Sequence, residues 1–224
     1  MNNPVIVENM ELSDVLYYRD TPLVRYRIQY PHFESEAFAG ALVRVNRHTE
    51  EDALHLEEYS RKNLFYSAVE QYHISEENGY PIMEFELIQA YEVTWNQDCS
   101  LSYYTDRYLY TGGAHGSTRR KGESWNLNNG TRLHLRQLMP AGADVWGYFT
   151  AEIIRQIKEQ IEEGNDIYFP DYEKIVAAEF DPRQFFLKPE GLVIFFQHYD
   201  IAPYSSGIPV FLIPYSKRLR EPRC

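Results

Sequence analysis

The chain has 224 residues, 44% of them hydrophobic and 25% charged, enough to bury one or two cores and too apolar for a disordered segment. Thirty-three acids against 22 bases give a formal charge of −11; this excludes a nucleic-acid binder, which needs a basic surface against phosphates, and favours a basic partner. No stretch approaches the roughly 18 apolar residues of a membrane span, and MNNPVIVENMELSD at the N-terminus has neither the basic nor the apolar region of a leader, so the expected location is cytoplasmic.

In chain order, PLVRYRIQYP reads as a short strand bounded by Pro22 and Pro31. The segment after Glu50, behind a Thr49 cap, reads as a helix with Leu64, Phe65, Ala68 and Tyr72 on one face and its charges solvated. From Met83 to Trp95 the period falls to two, which describes a long strand with one buried face. LSYYTDRYLY continues the β pattern to a glycine loop, YTGGAHGS, and TRRKGESWNL resumes it. In the next turn Asn128, Asn129 and Gly130 are expected to form a three-residue loop, with Gly130 left-handed and Trp125 and Leu127 facing with Leu133 and Leu135.

Residues 143–163 form the clearest helix, with Trp146, Thr150, Ile153, Ile154, Ile157 and Ile161 in one stripe and Gly164 at its C-terminal cap. A short helix from about Asp171 to Phe180 follows. FFLKPEGLVIFF reads as a hairpin whose LVIFF strand is central and covered on both faces, and PVFLIPY as a last, edge strand. Strands and helices in blocks indicate an α+β fold of mainly antiparallel sheet with packed amphipathic helices.

Chemistry is sparsely marked. Zinc-protease, nucleophile-elbow, phosphate-loop and dinucleotide signatures are all missing. HLEEY places His55 and Glu58 one helical turn apart, but no third ligand is identifiable, so no metal, cofactor or catalytic residue is assigned. Cys99 and Cys224 have no metal spacing, and a bridge between mid-chain and the last residue does not follow from sequence, so neither bridge nor zinc is expected. His198 and Asp200 lie two apart without a nucleophile. His115, among Gly112, Gly113 and Gly116, is reachable by a ligand, although the glycines first of all let the chain reverse. Residues 50–77 hold eight acids against two bases, so a cationic partner is expected to dock away from Arg119, Arg120 and Lys121. The loop YDIAPYSSG, held between two apolar strands, is expected to present Tyr199, Pro203, Tyr204 and Ser205 as a recognition surface, with His115 as a further ligand contact.

The order YTGGAHGS, WNLNNGTRLHLRQLM, an amphipathic helix, then FFLKPEGLVIFFQHYDIAPYSSGIPVFLIPYS resembles a bacterial domain family over Tyr103 to Ser216. That family is known from the lysozyme-sensing ectodomain of the anti-sigma-V factor and from the non-catalytic N-terminal region of a peptidoglycan deacetylase. Residues 10–100 resemble the companion domain that precedes it. The resemblance implies two interlocked halves, 1–100 and 101–224, with no known catalytic centre. It also implies extracytoplasmic relatives and a ligand interface near the YDIAPYSSG region. The sequence shows no sigma-binding segment and no deacetylase domain, so the expectation narrows to a non-enzymatic binding module. Its partner is a basic protein such as lysozyme; the alternatives are a peptidoglycan glycan-binding domain and a hydrolase with an unrecognised site.

Overall fold

A computed structural model describes residues 5–224. Two compact units interleave along the chain, one of residues 5–91 and 105–119, the other of residues 92–104 and 120–224. The halves 1–100 and 101–224 correspond to these units only in part. The first six strands are hydrogen-bonded in chain order, and the last three form a second sheet.

The first unit begins with a long hairpin. β1 (Ile6–Tyr18) and β2 (Thr21–Glu34) pair antiparallel, with a bulge between Leu16 and Tyr17. β2 runs through both prolines expected to bound it. Pro31 faces Asn9 and lies beyond the parallel pairing of Val24–Ile28 with Phe85–Gln89, so at that point the strand has a neighbour on one side only. A missing N–H is tolerated in such an edge-like place.

Helix α1 (Ala39–Tyr59) starts well before Glu50. Thr49 is therefore inside the helix, its hydroxyl donating to the Asn46 carbonyl at 2.9 Å instead of capping a new start. A π-helical turn, Ser60–Leu64, joins α1 to α2 (Phe65–Asn78), and Leu64, Ala68 and Tyr72 are buried as their spacing predicts. This helical run connects β2 to a parallel partner, β3 (Phe85–Gln97). The sheet is thus mixed, because a crossover of that length can return the chain in the same direction. Leu23, Tyr26, Ile28, Ala53, Leu64 and Leu87 are among the residues of this unit's core. Gln89 continues the buried face of Phe85 and Leu87; it donates to the Gln29 carbonyl at 3.3 Å and accepts from Arg107 at 3.2 Å, and Arg107 also pairs with Asp52 at 3.2 Å.

In the second unit, the later part of β3 and the first part of β4 (Ser100–Tyr110) meet most of β5 (Ser117–Asn126). β5 turns into β6 (Thr131–Arg132) with Trp125 opposite Arg132, a register that makes the loop four residues, not three. Gly130 is left-handed as expected at φ 65°. The extra residue is held by asparagine side chains: Asn126 Oδ1 accepts from the Asn128 amide at 2.9 Å and Asn129 Oδ1 from the Thr131 amide at 3.0 Å. Trp125 consequently faces the Arg132 guanidinium, 5.3 Å from its ring centroid.

Helix α3 (Val145–Glu162) is capped by Asp144, whose carboxylate accepts from the Gly147 amide at 3.0 Å. Val145, Phe149, Thr150, Ile153 and Ile157 are buried, whereas Trp146 flanks the stripe at 45% exposure. Helix α4 (Tyr172–Glu179) precedes β7 (Phe185–Lys188), β8 (Gly191–Phe195) and β9 (Val210–Pro214). β8 lies between the other two and is buried throughout. Its inner face joins α3 and α4 in a core containing Phe149, Ile153, Leu192 and Ile194.

Cys99 and Cys224 form a disulfide with Cα atoms 5.1 Å apart, which corrects the expectation of unpaired cysteines. No helix among the described residues is long and apolar enough to cross a membrane.

Candidate functional site

The loop between β8 and β9 is where side chains of chemical interest converge. Its entry is fixed by Gln197. The side-chain amide of Gln197 pairs with the backbone of Arg120 as a strand residue would: Nε2 donates to the Arg120 carbonyl at 2.8 Å and Oε1 accepts from the Arg120 amide at 2.9 Å. Nε2 also donates to Gln184 Oε1 at 2.9 Å. The Gln197 amide in turn donates to Asp200 Oδ2 at 2.7 Å, closing a tight turn around Tyr199.

That turn forces Tyr199 to φ +68°, a left-handed conformation that costs a non-glycine residue about 1–2 kcal/mol. Strain of this kind persists where surrounding structure imposes it and clusters at functional positions. Tyr199 is 58% exposed. Beyond it Ile201 and Ala202 are buried, and the Ile201 carbonyl accepts from the Phe169 amide at 3.0 Å, anchoring the middle of the loop.

Pro203, exposed and extended, leads into a single 3-10 turn, Tyr204–Ser206, which closes through Ser206 N–H to the Pro203 carbonyl at 3.0 Å. Gly207 leaves it at φ +74° and ψ −156°, a region that glycine alone enters readily. Tyr204 stacks on two rings, His198 with centroids 4.6 Å apart and Tyr199 at 5.8 Å, with interplanar angles near 30°. His198 Nδ1 is buried and has no hydrogen-bond partner among the described residues. Asp200 bonds the Gln197 amide, so the spacing of His198 and Asp200 produces no acid–base pair.

The structure therefore gathers four of the five expected site residues, Tyr199, Pro203, Tyr204 and Ser205, in one loop. His198 joins them as a stacking partner, a role its spacing does not announce. The fifth, His115, belongs to the other unit, where it is exposed and its Nδ1 donates to the adjacent Gly116 carbonyl at 2.9 Å. Gly112 and Gly113 have the positive φ expected of them, +94° and +91°. Gly116 does not; a Cβ there would meet the Tyr108 ring and, at 2.6 Å, the Leu109 carbonyl. Replacing Gly113 by Val should thus cost about 2 kcal/mol, since a β-branched residue resists positive φ. His115→Ala should change the melting temperature little. Thermal unfolding of both variants checks the order, and a larger loss from His115→Ala would reverse it.

Arg120, at the foot of the loop, lays its guanidinium over the Tyr104 ring at 3.9 Å. Lys121 and Arg132 both pair with the buried carboxylate of Glu123, at 3.0 and 2.9 Å. Arg120 therefore sets one cation at the foot of the loop, which does not favour the approach of a basic protein by charge.

Residues 18–118 match the family model described as "Deacetylase PdaC", and residues 139–216, which include the loop, match "Protein of unknown function (DUF3298)". The chain is similar in fold to a crystal structure of a DUF3298 family member from Bacteroides fragilis NCTC 9343. The TM-score is 0.72 at 17% identity, over 99% of this chain and 96% of that one. It is also similar to a DUF3298 family protein from Pseudomonas aeruginosa PAO1, with TM-score 0.63 at 17% identity over 95% and 91% of the two chains. No curated protein matches the chain.

Proposed function

Taking as premise a chain that carries a PdaC-type stretch followed by a DUF3298 stretch, we propose that it is a non-enzymatic binding module whose recognition element for a protein ligand is the loop Tyr199–Gly207. The observation that carries this reading is the stack of Tyr204 on His198 and Tyr199, with Tyr199 held exposed on left-handed backbone. Rings already ordered by stacking and by hydrogen bonds at the loop's base lose little entropy on binding, and rigid tyrosines are common binding hot spots. Lysozyme is the protein ligand that the family resemblance supplies. The same stacked faces suit a glycan, and the PdaC match favours cell-wall glycan as the second reading. The disulfide supports a location outside the reducing cytosol, since such bonds persist in oxidising compartments.

Tyr204→Ala tests the site. Titrations of the wild-type protein and the variant against lysozyme and against purified peptidoglycan should show one ligand bound, and its affinity reduced about thirtyfold in the variant, equivalent to about 2 kcal/mol. The melting temperature should stay unchanged. A large fall in melting temperature, or undiminished affinity for the bound ligand, removes the loop from the site. Loss of peptidoglycan binding with no lysozyme binding at all transfers the assignment to the glycan.

A further inference from the structure

β1 ends the six-stranded sheet. It pairs with β2 along its length and, among the described residues, with no strand on its other side. Nine of the thirteen residues Ile6–Tyr18 are exposed, including apolar side chains at Ile6 (64%), Met10 (39%) and Tyr17 (59%), while Leu12, Leu16 and Tyr18 pack against the core. A long edge of this kind offers a row of backbone donors and acceptors to another chain, and proteins usually blunt it with lysine, proline or a bulge. β1 has no lysine, arginine or proline, and its bulge lies at the far end, between Leu16 and Tyr17.

The edge carries charge of one sign. Glu8, Glu11 and Asp14 recur at every third residue and so alternate between the two faces of the strand; Asp14 is held by the Arg61 guanidinium at 2.9 Å, which leaves Glu8 and Glu11 as the carboxylates offered by the edge. The unit to which β1 belongs has 17 acidic and 9 basic residues, a net of −8. A second copy of β1 would bring the Glu8 and Glu11 carboxylates of both copies together across the new ladder with no cation between Ile6 and Tyr18, and like charges across a strand pair repel.

We propose that β1 is a docking edge that takes up an extended basic polypeptide segment as an added strand, with Lys or Arg three residues apart facing Glu8 and Glu11. Main-chain hydrogen bonds hold the segment and the carboxylates select its charge, the division of labour seen when peptides extend a sheet. This surface is separate from the aromatic loop and does not depend on the reading given to it.

The test uses the whole protein and three synthetic peptides of about twelve residues, long enough to span most of β1: a Lys-Val-Thr repeat, the same peptide N-methylated at alternate residues, and a Glu-Val-Thr repeat. Calorimetry and amide hydrogen exchange are read together. The Lys peptide should bind and slow exchange of β1 amides, the N-methylated peptide should bind at least about tenfold more weakly, and the Glu peptide should not bind. Glu8→Lys with Glu11→Lys should shift the preference to the Glu peptide, while Tyr204→Ala should leave all affinities unchanged. Equal binding of the Lys peptide and its N-methylated form would reduce the edge to general charge attraction and overturn the proposal. Absence of binding by the Lys peptide would also overturn it, as would a free protein that sediments as a dimer with β1 amides already protected.

Discussion

Replacing Cys99 and Cys224 together by serine is expected to lower stability by about 5 kcal/mol, because the bridge closes a loop of 125 residues and the unfolded chain loses that constraint. Cys99 is half of the two-residue turn between β3 and β4, with Asp98 at φ 49° and Cys99 at φ 54°, a pair of left-handed residues that suits the twist of a hairpin. Its carbonyl also accepts from the Leu127 amide at 2.8 Å. The other end of the bridge arrives on a tail that the fold already holds: Leu219 is fully buried, and the Arg220 amide donates to the Leu138 carbonyl at 2.8 Å. Both attachment points are thus ordered by other contacts, so the bridge need not distort the native structure, and most of its effect falls on the unfolded state. Guanidinium unfolding of the oxidised protein and the double-serine variant measures the difference. A difference under about 1 kcal/mol, or two titratable thiols in the untreated native protein, would remove the bridge from the stability of the fold.

The failure to read that bridge from the sequence and the success with α3 have the same physical origin. The helix is encoded within a few turns: Asp144 caps it, and Phe149, Ile153 and Ile157 repeat at the helical period. The bridge joins residues that no local rule connects. β7, β8 and β9 are legible for the same local reason, since a Pro-Glu turn separates two short apolar runs. β1 is not legible, because an exposed edge strand lacks the alternation that marks a half-buried one. Proline misleads at Pro31 because its effect depends on how many neighbours a strand has there, which is a property of the sheet. Thr49 misleads because the same hydroxyl that caps a helix can bond back to a carbonyl within one.

For the candidate site, sequence reaches the loop and not its support. Tyr199, Pro203 and Tyr204 stand out as an aromatic, proline-stiffened stretch between apolar strands. The stacking of Tyr204 on His198 depends on how tightly the chain turns at Tyr199, and that turn depends on Asp200 accepting the Gln197 amide. Gln197 itself reads as an ordinary polar residue after β8. Its partner, Arg120, is 77 positions away, and an amide that imitates a strand pairing leaves no periodic trace.

Gln197→Leu should therefore have the second largest effect, about 3 kcal/mol of stability, and should also weaken binding by the loop without removing any of its aromatic rings. The substitution deletes three hydrogen bonds at once, two to the Arg120 backbone and one to Gln184, and each loss at a partly buried position costs about 1 kcal/mol. The unit should still fold, because the Phe196 amide keeps its bond to the Pro209 carbonyl and Phe169 keeps its bond to Ile201. What changes is the entry of the loop, and with it the angle at which Tyr199 meets Tyr204. Gln197→Glu separates support from mere bulk: the carboxylate can still accept from the Arg120 amide but cannot donate to the Arg120 carbonyl. Its stability and affinity should fall between those of the wild-type protein and the leucine variant. If both variants bound as tightly as the wild-type protein while losing stability, the amide would hold the fold alone, and the stacked rings would owe their arrangement to the Asp200 turn.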